Sequence, residues 1–142
     1  MQVSDVRRRV QQAIEEARRR SGVRRARIDA SEKAYETFLS SVATPMFRMV
    51  ANVLAAESRP FKVFTPTGSV RLMSDRSAKA FIELSLDTTL DPPAIVGRVS
   101  RERGSRIIEA ERPLDETKAI EQVTEEDVLR FLLEEIGPLV ER

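Results

Sequence analysis

Apolar residues recur every three or four positions at Tyr35, Phe38, Leu39, Val42, Met46, Met49, Val50, Val53 and Leu54. That spacing puts them on one face of an α-helix. No other segment carries so long an apolar stripe, so residues 31–58 are expected to form the spine on which a sheet packs. Pro45 interrupts it. An interior proline removes one backbone hydrogen bond and crowds the preceding turn, at a cost of about 3 kcal/mol if unrelieved. The stripe stays in phase on both sides of Pro45. The expectation is therefore a continuous helix with a kink, rather than a new helix capped by Thr44.

A thinner stripe precedes the spine: Val6, Val10, Ala13, Ile14 and Ala17. Ser4 is the expected cap of this first helix, with Asp5 at its positive end. Ser21-Gly22 is the expected stop, with glycine beyond the last turn. A stripe of Ala and Val offers little to a core, so residues 1–22 are expected to form a basic helix extending from the body. Residues 23–142 then make a single domain. The second helix is expected to start between 24 and 31, where Asp29 and Glu32 resemble a capping box.

After Ser58-Arg59-Pro60 the period drops to two. Phe61 to Thr65 and Val70 to Met73 read as strands joined through Pro66-Thr67-Gly68, a turn sequence. Ala80, Ile82, Leu84 and Leu86 alternate with Phe81, Glu83, Ser85 and Asp87, the clearest strand in the chain. Pro92-Pro93 breaks the pattern. Residues 95–99 and 106–110 supply two further strands around Gly104. Short links make an antiparallel meander the expected order. Residues 114–123 read as an exposed linker. Thr124 and Asp127 open a last helix with Val128, Leu129, Leu132, Leu133 and Ile136 on its apolar face. The fold class expected is α+β: two N-terminal helices, the second long and kinked near Pro45, a five-stranded antiparallel meander, and a C-terminal helix packing on the sheet. Phe61, Val63, Met73 and Phe81 are expected to make a second sheet face apolar, which would need another cover.

Composition narrows the chemistry. The chain has 142 residues, 41% apolar and 33% charged, which suits one soluble globular unit. It has neither cysteine nor histidine. Thiolate chemistry, disulfides and the usual neutral-pH base are thereby excluded. No catalytic residue, cofactor or metal site is expected. There is no run of about 18 apolar residues and no secretory h-region, so no membrane span is expected and the cytoplasm is the default location.

Net charge is +1, but its distribution is uneven. Residues 1–27 hold nine Arg against Asp5, Glu15 and Glu16, a net of +6. Residues 109–142 hold eleven acids against Arg112, Lys118, Arg130 and Arg142, a net of −7. Such asymmetry points to a partner or to the two ends meeting. Arg8, Arg9, Arg18, Arg19, Arg20, Arg24, Arg25 and Arg27 are candidates for anion or nucleic-acid contact, although no aromatic is interleaved to stack on bases. Their alternative use is pairing with the acidic C-terminal helix of the same or a neighbouring chain. Arg98, Arg101, Arg103 and Arg106 form a weaker candidate anion cluster, and one strand pairing sets Arg98 against Glu109. Glu83, Asp87 and Asp91 are the acids available for carboxylate chemistry. The leading expectation is a non-enzymatic, self-associating interaction or scaffold module, with a homodimer favoured and a protein partner allowed. The alternatives are a nucleic-acid-binding accessory protein using the first helix, and a small-ligand module with a pocket between long helix and sheet near Met46, Met49 and the Phe residues.

Overall fold

The computed structural model describes residues 1–141. Helix α1 runs Val3–Phe38, a π-helical segment Leu39–Ala43 follows, and α2 spans Thr44–Ala56. Strands β1 (Phe61–Phe64), β2 (Ser69–Ser74), β3 (Phe81–Asp87), β4 (Ala94–Arg103) and β5 (Arg106–Pro113) form one antiparallel sheet in the order β1-β2-β3-β4-β5. A short 3-10 turn, Ile120–Gln122, leads to α3, Glu125–Val140. The α+β class, the meander and the closing helix on the sheet are as the sequence pattern predicts.

The division between the first two helices lies elsewhere than expected. Helix α1 passes through Gly22 and through Asp29 without a break, and its cap is Gln2 rather than Ser4. The interruption comes at Leu39–Ala43, where the Thr44 N–H donates to Leu39 O, five residues back. One wide turn just before Pro45 moves the backbone away from the proline ring, which lacks an N–H and would crowd a regular turn. The buried positions record the extra residue. They run Tyr35, Phe38, Ala43, Met46, Phe47 and Ala51, with a step of five at the π segment. The apolar face is thus kept by inserting a residue, not by staying in phase.

Strand alternation sorts the sheet into two faces. Val63, Leu72, Ile82 and Val99 share one row, and Val70, Leu84 and Gly97 another. These face the helices, with α2 over β1 and β2 and α3 over β3 and β4. Phe47, Leu72, Ile82, Leu84 and Leu132 are almost wholly buried there. Each such side chain contributes about 1.5–3 kcal/mol relative to exposure. Phe61 and Val63 belong to this inner face, correcting the expectation that they line the outer one. Gly97 sits where the Phe131 ring meets the sheet, and a Cβ there would overlap the ring.

The stretch after β5 is exposed at residues 116–119 and 121–122, as expected of a linker, but Leu114, Ile120 and Val123 join the core. Pro138 lies inside the last turn of α3, so Gly137-Pro138 does not stop that helix. Within the continuous helical stretch Val3–Ala56, one 18-residue window is apolar and long enough to cross a membrane by length and composition, and 22% of it is buried. No such run was expected.

Candidate functional site

The most distinctive feature is what α1 leaves uncovered. From Val3 to Arg27 every residue is exposed except half-buried Asp5, and contact with the body begins near Ile28 and Ser31. At about 1.5 Å per residue, this free arm is roughly 37 Å long. Its base is held by two bonds. Arg27 Nη1 donates to Asp91 Oδ1 at 2.7 Å, and the Tyr35 hydroxyl donates to Gly68 O at 2.8 Å. Burial, then the nearby Glu83 charge, raises the Tyr35 phenol far above its ordinary range, so it stays a donor at any physiological pH.

Val3, Val6, Val10, Ala13, Ile14 and Ala17 fall within about 100° of arc on the arm. The four larger ones are 44% to 74% exposed. The arginines occupy the rest of the circumference, save Arg24, which falls within the continuation of the strip. Val3 belongs to this strip although only the five later residues suggested it in the sequence.

The structure brings Arg8, Arg9, Arg18, Arg19, Arg20, Arg24, Arg25 and Arg27 onto one helix but not onto one face. Among the described residues, the arm's ion pairs are Arg8–Asp5 at 3.5 Å within the helix and Arg27–Asp91 at its base. The acidic α3 does not meet the arm within the chain. Its Glu134 and Glu135 take Arg112, each at 2.7 Å. Asp127, with a side chain 4% exposed, takes Lys118 at 2.7 Å and Arg130 at 3.3 Å. Chiefly through the Lys118 bond, with the Thr124 backbone and hydroxyl helping, the Asp127 carboxyl is lowered to about 2.

The second arginine group is split by the register. Arg98 lies on the outer face, whereas Arg101, Arg103 and Arg106 fall on the opposite one, with Arg103 directly across from Arg106. Arg98 is opposite Glu111, not Glu109. Its carboxylate partner is Glu83 on β3, at 3.2 Å, and Arg71 reaches the same carboxylate at 2.9 Å. Both guanidinium groups lie over the Phe81 ring, that of Arg71 at 4.1 Å and that of Arg98 at 5.2 Å from its centroid. The outer face is therefore covered by its own arginine side chains, stacked on an aromatic ring and sharing one buried carboxylate. The sequence carried no signal for this cluster, because it depends on the row β2-β3-β4 and not on local spacing.

The acids considered for chemistry are all engaged. Glu83 binds two arginines, Asp87 accepts from Thr89, and Asp91 holds Arg27. No group of three or more acids placed to hold a metal ion occurs among the described residues. Two open clefts border the spine beside the β1–β2 turn, one lined by Tyr35, Leu39, Pro45 and Arg48, the other by Glu32, Tyr35, Glu83 and Leu86. Neither includes Met46, which is buried, or Met49, which faces outward. No protein-family model, curated protein or solved structure matches this chain.

Proposed function

We propose that this protein is a non-enzymatic, self-associating interaction module whose projecting arm binds another copy of the chain. The observation that carries this reading is the apolar strip Val3, Val6, Val10, Ala13, Ile14 and Ala17, exposed on the stretch of α1 that has no packing partner among the described residues. Most helical stability in proteins comes from packing an apolar face rather than from propensity. Valine is a weak helix former, so such a face on a lone helix calls for a cover. The engaged acids and the missing histidine and cysteine favour an interaction role over catalysis. Light scattering on size-exclusion fractions tests the reading. The expected result at micromolar concentration is twice the 16.1 kDa chain mass, falling to the monomer mass when residues 1–24 are deleted. A full-length chain that stays monomeric overturns it.

A second reading is favoured by the arm arginines that lack a carboxylate partner among the described residues, such as Arg9, Arg18, Arg19, Arg20, Arg24 and Arg25. Such a helix suits a polyphosphate backbone, and binding would weaken steeply with salt through counterion release. A mobility-shift titration that shows no complex at low salt removes it.

A further inference from the structure

We infer that two arms pair antiparallel, centred between Gln11 and Gln12, with Arg9 of each chain bonded to Glu16 of the other. The proposal rests on the self-association proposed above and adds orientation and register to it. In a two-helix seam, residues three and four apart alternate as the buried layers. Val3, Val6, Val10, Ala13, Ala17 and Arg20 follow that spacing. In an antiparallel pair each layer joins residues whose numbers sum to 23. Val10 then meets the partner copy's Ala13, and Val6 meets the partner copy's Ala17, so the two inner valines are each set against an alanine. Arg20, the first charged position of the seam, falls at its end opposite the partner copy's Val3, where its head can reach water along its own stem.

The charges decide between orientations. Flanking the seam, Arg9 and Glu16 become cross-chain neighbours, and two-fold symmetry makes the pair twice. Both are exposed and neither has an ion-pair partner in its own chain among the described residues. A parallel pair would stack Arg20, Arg24 and Arg27 on their own copies and would set Arg9 beside Ile14, with no acid in reach. Antiparallel arms also oppose their helix dipoles favourably. The partner's Met1 then ends opposite Gly22, clear of the body, so the two bodies lie at opposite ends of the paired arms. Counting from Arg27 of one chain to Arg27 of the other gives roughly 45 Å.

The test uses Arg9→Glu and Glu16→Arg in the full-length chain, both outside the packed body. Each variant alone puts like charges at both symmetric contacts and is expected to dimerise about ten-fold more weakly. An equimolar mixture of the two restores both contacts without changing either helix and is expected to form the heterodimer at wild-type affinity. Because the chain has no cysteine, the double substitution Val3→Cys with Arg20→Cys, set against Val3→Cys alone, reads orientation directly. The two positions lie about 25 Å apart in one helix, so oxidation can link them only between chains, and a covalent dimer is expected. Failure of the mixture to recover, or efficient cross-linking by Val3→Cys alone, overturns the antiparallel pairing while leaving self-association standing. A wild-type chain that is monomeric overturns both.

Discussion

At Gly97 the requirement is the absence of a side chain. The Phe131 ring of α3 rests against the β4 backbone there, and a methyl group would occupy ring space. Gly97→Ala is expected to cost about 1–3 kcal/mol by overpacking, read as a lower midpoint in urea unfolding. Phe131→Leu in the same chain should recover part of the loss. A glycine inside a strand is a packing point or a bulge, and the sequence goes no further, since the partner of Gly97 lies 34 positions away in the chain. Asp127 shows a residue whose role was legible locally. Thr124 and Asp127 were recognisable as a capping box, and the bonds are formed: the Asp127 N–H donates to Thr124 Oγ1, and Asp127 Oδ2 accepts from the Thr124 N–H. Lys118 was not legible, because it arrives from the turn before α3. With the Asp127 carboxyl lowered to about 2, its contribution is complete above the ordinary carboxylate range near pH 4. It is lost as pH falls from there through 2, because the unfolded chain takes up the proton first. Between pH 4 and pH 2 the wild type should therefore lose about 1–2 kcal/mol more than Asp127→Asn, as followed by thermal melts across that window.

Periodicity marks where the helices lie, but neither a lone glycine nor a regular stripe fixes where their geometry changes. Gly22 looked like a stop, yet nothing within 4 Å would touch a Cβ there and the helix runs straight through. A glycine in an exposed helix costs roughly 0.5–1 kcal/mol relative to alanine, a penalty that long flanking helix absorbs. Gly22→Ala is accordingly expected to stabilise the arm by about that amount. Amide exchange should slow across residues 15–27 and remain unchanged in the sheet. The π segment could not be foreseen. Its evidence is a step of five in the buried positions, and Leu39 and Val42, which complete a regular stripe on paper, are only half-buried. The turn at Ile120–Gln122 was missed for a related reason: Leu114, Ile120 and Val123 follow neither a period of two nor of 3.6.

Across the whole molecule, the meander was legible because short links leave consecutive strands little choice but to pair. What the outer face does was not. The expectation of a second apolar face needing another cover gives way to Arg71 and Arg98 lying on Phe81 around Glu83. That removes the sheet as the main reason to expect association and leaves the arm to carry it. The edges are also poor templates for strand addition, since β1 has only four residues and β5 carries Glu109, Glu111 and Arg112 and ends at Pro113. The continuity of α1 from free tip to core has a last consequence, one of phase. With no joint between arm and body, the arm behaves as a screw thread: each residue added between Gly22 and Arg27 advances the body by about 1.5 Å and turns it by about 100°. Two added residues would swing the body to nearly the opposite side of the arm's axis. Seven would return it to within about 20° of its bearing, one step further out.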